Sequence, residues 1–90
     1  MGLIGPQGMR SEYLLYILSC GDGTLYTGIT NNLPRRLAQH EAGKGAKYTG
    51  GRGPLTLVYT APFPTKGAAL REERRVKRLS RAAKLALIAS

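Results

Sequence analysis

Apolar side chains fall in short runs along this chain, and the spacing within each run identifies the element that carries it. From Tyr13 to Ser19 the chain reads Tyr-Leu-Leu-Tyr-Ile-Leu-Ser, a β-prone stretch. Alternation sends Tyr13, Leu15 and Ile17 to one face of a strand and Leu14, Tyr16 and Leu18 to the other. Both faces are apolar enough to be covered. Gly21-Asp22-Gly23 supplies the Asp-Gly pair of a tight hairpin turn, so a second strand returns through Leu25–Thr30. After Pro54, Leu55 to Ala61 alternates as a third strand, which Pro62 and Pro64 are expected to end.

The remaining periodic stretches carry helix signals. Asn31-Asn32 is an N-cap, and Pro34 falls in a first turn, where its missing N–H costs little, so a helix is expected from Leu33 to about Ala42. Arg36 and His40 stand one turn apart on it and can act together. Gly43, Gly45, Gly50, Gly51 and Gly53 then punctuate a loop that carries Lys44, Lys47 and Arg52. It does not match the phosphate-binding G-x-x-x-x-G-K-[ST] loop. Thr65 can cap a helix from Lys66 to Leu79, and Ser80 a shorter one from Arg81 to Ala89. Leu85, Leu87 and Ile88 of the last helix are expected to pack on the domain, which argues against that helix as a membrane or acidic-protein binder. The order β-β-α-β-α-α implies an α+β fold, a small three-stranded antiparallel or mixed sheet flanked by helices. Residues 1–12 read as a flexible leader and residues 13–90 as one domain.

Length and charge narrow the function. A chain of 90 residues buries about 60% of its unfolded surface, enough for one core and not for two. Apolar runs such as Leu14–Leu18 are far below the roughly 20 residues that span a bilayer. One cysteine, Cys20, and one histidine, His40, provide neither an internal disulfide nor a structural zinc site. With no recognisable targeting segment, the expected location is the cytoplasm. Fourteen Lys or Arg against five Asp or Glu leave a net charge of +9. The commonest partner for such a surface is a phosphate polymer.

Candidate chemistry is sparse, and each residue has a structural alternative. Tyr16 and Tyr26 lie on strands joined by a short turn and could bring their hydroxyls together on one face, but tyrosine is also simply a good strand residue. Arg36 and His40 read equally well as helix-surface side chains. Glu72 and Glu73 are the two carboxylates among seven cations in residues 71–90, and either could be an ion-pair hub or a metal ligand. Helical spacing sets Leu70, Glu73 and Lys77 on one line and Ala69, Glu72, Val76 and Leu79 near another, which does not decide between the two. Gly28, lacking a side chain, would let a phosphate or the helix approach the strand.

The order and spacing of these residues carry a resemblance. Tyr16, then Tyr26-Thr27-Gly28, Arg36, His40 and, in a later helix, Glu73 resemble the GIY-YIG nuclease domain, in particular its small single-domain bacterial branch, an uncharacterised protein family. Leu14-Leu15-Tyr16 stands at the first motif and Tyr26-Thr27-Gly28 at the second. Tyr26 to His40 is similar to the family's strand-to-helix segment almost throughout, as are Lys44 to Thr49 and Ala69 to Lys77 to other parts of that branch. The likeness covers Tyr13 to about Leu85. The first-motif Gly and Ile are Leu14 and Leu15, the second-motif Ile is Thr27, and no Asn follows Asn32 where many active members place one.

The resemblance implies a metal-dependent endonuclease that hydrolyses DNA phosphodiester bonds. Tyr16 and Tyr26 would line the site, Arg36 would be the catalytic arginine, His40 a supporting site residue and Glu73 the ligand of one Mg²⁺ or Mn²⁺. Glu73 is preferred to Glu72 because it holds the family position in Ala-Leu-x-x-Glu. DNA is the expected partner and RNA an alternative. Phosphate contacts are expected from Lys44, Lys47, Arg52, Arg74, Arg75, Arg78, Arg81 and Lys84. A domain of this size has little surface for reading a long sequence, so low sequence specificity is expected. The same charge would equally suit a nucleic-acid-binding module of this fold that cleaves little.

Overall fold

A computed structural model describes residues 12–43 and 53–90. The leader, save its last residue Glu12, and the loop cations Lys44, Lys47 and Arg52 lie outside the described residues. The elements run β1 (Tyr13–Ser19), β2 (Leu25–Thr30), α1 (Leu33–Glu41), β3 (Thr56–Phe63), α2 (Lys66–Lys77) and α3 (Arg81–Ala89). The strands form one fully antiparallel sheet in the order β2-β1-β3, so the most apolar strand takes the centre.

Local chemistry sets most of the boundaries. The hairpin turns at Cys20–Thr24, where the Gly23 amide donates to the Cys20 carbonyl at 2.9 Å and Gly23 sits at φ +87°, a conformation that only glycine adopts at no cost. Asp22 Oδ1 ties the turn to β2 by accepting from the Thr24 amide at 3.1 Å and the Thr24 hydroxyl at 2.7 Å. Each helix begins at its expected cap. Asn32 Oδ1 accepts from the Arg35 amide at 3.2 Å, Thr65 Oγ1 from Ala68 at 3.1 Å and Ser80 Oγ from Ala83 at 3.1 Å.

Two boundaries differ from expectation. β3 runs on through Pro62, which pairs with Leu14. An edge strand tolerates proline because the missing N–H need not leave a gap in a ladder on both sides. α2 stops at Lys77, and Arg78 and Leu79 close it by donating to Arg75 and Val76 at 3.2 and 3.0 Å, the shorter i−3 pattern that tightens a last turn.

The two sheet faces are covered by different helices. Leu15 and Ile17 pack with Val76 of α2, and Leu25, Ile29, Val58, Phe63, Leu79, Leu87 and Ile88 close around them. Burying a side chain such as Leu15 contributes about 1.5–3 kcal/mol. Leu87 and Ile88 thus join the core as expected. Leu85 does not: it is 45% exposed, because a helix lying on a sheet buries one stripe and Leu85 falls outside it. The opposite face carries Tyr16, which meets α1.

Candidate active site

The antiparallel register builds the site before any helix is added. Tyr16 stands directly opposite Gly28, and Leu18 opposite Tyr26. Tyr26 is therefore the diagonal neighbour of Tyr16 on the same face, a separation that aromatic rings can bridge. The two ring centroids are 6.2 Å apart, with planes inclined at 47°. Gly28 has a definite reason to be glycine. A Cβ there would lie 2.7 Å from the Tyr16 hydroxyl and 2.8 Å from Tyr16 Cζ, so the space beside the strand belongs to the Tyr16 ring rather than to a phosphate or to α1.

α1 then closes over the phenol. Its N-cap fixes where the helix starts, and one turn of separation aims Arg36 and His40 at the same point. His40 Nε2 lies 2.8 Å from the Tyr16 hydroxyl, and Arg36 Nε donates to that oxygen at 3.2 Å. Arg36 Nη1 also donates to Gln39 Oε1 at 3.1 Å, which steers the guanidinium. The His40 ring meets both tyrosines edge-on, with centroids 5.7 Å from Tyr16 and 5.2 Å from Tyr26.

Burial sets the protonation. Tyr16 has no exposed surface and His40 is 2% exposed. Desolvation raises the Tyr16 phenol above its ordinary range, opposed by the hydrogen bond and charge of Arg36 and reinforced by Tyr26. Desolvation, then the Arg36 charge, lowers His40. The phenol in turn holds Arg36 in its charged form. Arginine can only donate, so the phenol oxygen accepts from Arg36, and the hydroxyl also pairs with Nε2 of His40.

Tyr26 is half-buried and lines a cavity of about 460 Å³ together with Leu25, Thr27, Lys77 and Lys84. Four of the five expected site residues, Tyr16, Tyr26, Arg36 and His40, are thus brought together, whereas the contact given for Glu73 is with Lys77 of its own helix. Glu73 Oε2 lies 3.1 Å from Lys77 Nζ, with its side chain 17% exposed. Glu72 is committed elsewhere. Its two oxygens accept the fork of Arg75 at 2.9 and 2.5 Å, and that bond holds its carboxyl below the usual range.

No three His, Cys, Asp or Glu side chains cluster as metal ligands among the described residues. Glu73 is the carboxylate that the family resemblance assigns to a divalent ion, and a single carboxylate suits Mg²⁺, an ion that keeps several waters and completes its shell with substrate phosphate. Of the expected phosphate contacts, Arg74, Arg78 and Arg81 are exposed, Arg75 is exposed and bound to Glu72, and Lys84 faces the cavity. The sequence reading passed over Gln39, whose spacing of three residues from Arg36 is a helical interval that would have singled it out, and set Lys77 on the Glu73 line without giving it a role.

A family comparison matches residues 12–86 to the GIY-YIG catalytic domain. The chain belongs to the GIY-YIG family. It is 53% identical to a UPF0213 protein of Natronomonas pharaonis over 90% of this chain and 95% of that one. It is 54% identical to a UPF0213 protein of Oceanobacillus iheyensis over 89% and 93%. The fold matches the solution structure of a UPF0213 protein from Bacillus halodurans, with TM-score 0.58, 51% identity and coverage of 87% and 83%. It also matches a solution structure from E. faecalis, with TM-score 0.60, 35% identity and coverage of 84% and 82%. In this GIY-YIG chain Tyr16, Tyr26 and Gly28 share the α1 face. The departing letters Leu15 and Thr27 point to the opposite, core face, where packing rather than chemistry selects the residue.

Proposed function

We propose that this protein is a metal-dependent endonuclease that hydrolyses DNA phosphodiester bonds with low sequence specificity. The observation that supports this best is the buried Tyr16 hydroxyl shared by Arg36 and His40. Phosphodiester hydrolysis needs an oriented water, a cation on the developing phosphorane charge and relief for the leaving oxygen. Arg36 supplies the permanent charge at a fixed place.

The roles of the two tyrosines separate by exposure. Free phenol and imidazole differ by roughly 3.5 pKa units, or about 5 kcal/mol at 1.36 kcal/mol per unit. Burial widens that gap, so in the resting site the proton stays on Tyr16 and the phenol is neutral. Tyr16, with no exposed surface, positions Arg36 and His40. Tyr26, half-buried where Tyr16 is fully enclosed, is the tyrosine that meets the attacking water. When bound at Glu73, a divalent ion would supply Lewis-acid stabilisation of phosphate charge.

The test is incubation of labelled single-stranded, duplex and branched DNA, and of RNA, with Mg²⁺, Mn²⁺ or EDTA, using wild type and Arg36→Ala. Metal-dependent cleavage that collapses in Arg36→Ala is expected, and the substrate panel names the preferred nucleic acid. Tight binding without cleavage under every condition would overturn the nuclease reading in favour of a binding module.

A further inference from the structure

The tyrosine cluster accounts for one side of Tyr26 only. The cavity lies along the open edge of β2, lined by Leu25, Tyr26 and Thr27, by Lys77, the last residue of α2, and by Lys84, in the second turn of α3. Among the described residues no carboxylate lines it. A space of about 460 Å³ lies within the range of sites that hold one small molecule or monomer unit.

We propose that this cavity is a subsite for a nucleic-acid backbone phosphate next to the one being cleaved, gripped by Lys77 and Lys84, with the sugar against Leu25 and Tyr26. This rests on the nuclease reading above. Tyr26 links the two regions: it is among the residues lining the cavity, and its ring, on the α1 face, lies 5.2 Å from His40 and 6.2 Å from Tyr16. In this arrangement a strand whose scissile phosphate sits at the Arg36 cluster rounds the edge of β2 at Tyr26 and brings its neighbouring phosphate to the two lysines. The Glu73 contact does not consume Lys77, since an ammonium has three hydrogens and Glu73 takes one. The Lys77 side chain is 53% exposed, and the remaining donors can reach a phosphate oxygen. Lys77 is thereby shared between the carboxylate suited to a metal and the phosphate subsite, which couples the two in position.

The test is duplex DNA binding in EDTA, so that nothing is cut, as a function of salt for wild type, Lys77→Met, Lys84→Met, Lys77→Arg and Lys84→Arg. Lys66→Met serves as the control, the same charge change at the opposite end of α2. Each phosphate contact adds about −0.9 to the log–log salt slope. Each Met variant at the cavity is expected to bind more weakly with a slope shallower by about 0.9, so that the wild-type advantage shrinks about 3.5-fold between 50 and 200 mM salt. The Arg variants should restore the slope, and Lys66→Met should keep it.

Wild-type slopes in both cavity Met variants would overturn the subsite while leaving the nucleic-acid reading intact. An equal loss in Lys66→Met would also overturn it, because a diffuse field would then explain the binding. Absence of DNA binding by the wild type at 50 mM salt would overturn the subsite and the nuclease reading together.

Discussion

Replacing Gly28 with alanine places a methyl group 2.7 Å from the Tyr16 hydroxyl, 2.8 Å from Cζ and 3.1 Å from Cε1. The first two contacts are too short to persist, so the Tyr16 ring must move. Tyr16 is packed with no exposed surface, and moving it breaks the bonds to His40 at 2.8 Å and Arg36 at 3.2 Å. Losing the buried neutral bond costs about 1 kcal/mol and the longer charged one about 1.5 kcal/mol. The substitution returns about 0.5 kcal/mol by restricting the unfolded chain. The net loss is about 2 kcal/mol, which for a domain of this size lowers Tm by roughly 8–16 °C. Thermal unfolding of wild type, Gly28→Ala, Tyr16→Phe and the double variant measures it. The two substitutions break the same bonds, so the double variant should be more stable than additivity requires by about 1 kcal/mol. A Tm drop under about 2 °C for Gly28→Ala, or additive costs, would refute the assignment of that space to Tyr16.

Further outcomes follow from burial. His40 is held below its ordinary pKa, so its contribution to stability is complete above about pH 6.5 and is lost as pH falls through the unfolded value towards the folded one. Urea midpoints should fall across that window, and His40→Gln should flatten the fall. Tyr16 is held above its ordinary pKa, so its contribution is complete below about pH 10 and is lost as pH rises through the folded value, a loss Tyr16→Phe should remove. Thr27 is 3% exposed, and its hydroxyl has no partner among the described residues. Thr27→Val should therefore raise stability by about 1 kcal/mol in denaturant unfolding, and a loss would mean that the hydroxyl is bonded. Leu85→Ala should change stability by less than about 0.5 kcal/mol while Leu15→Ala costs about 2–5 kcal/mol, and comparable losses would contradict the exposure of Leu85.

The helix caps and the strand runs were legible in the sequence because each rests on local chemistry. Asn32, Thr65 and Ser80 cap where their side chains reach the next turn, and β1 alternates because one face meets α2 and the other α1. Tyr16 with Tyr26, and Arg36 with His40, could be paired from strand and helix periods alone. What those periods do not contain is the register between chain segments. Only the pairing of Tyr16 with Gly28 shows that the glycine makes room for a phenol. Only the placement of α2 and α3 against the β2 edge brings Lys77 and Lys84 beside Tyr26. The run of β3 through Pro62 was missed for the same reason, since being an edge strand is a property of the sheet.

Nicking of supercoiled plasmid by wild type and Glu73→Ala, in Mg²⁺ and in EDTA, puts the proposed chemistry to trial in one experiment. Glu73 is the carboxylate proposed to hold the divalent ion, so wild type should nick in Mg²⁺ alone and Glu73→Ala in neither condition. Undiminished Mg²⁺-dependent nicking by Glu73→Ala, in a variant that unfolds at the wild-type temperature, would contradict the role given to Glu73 and with it the proposed site.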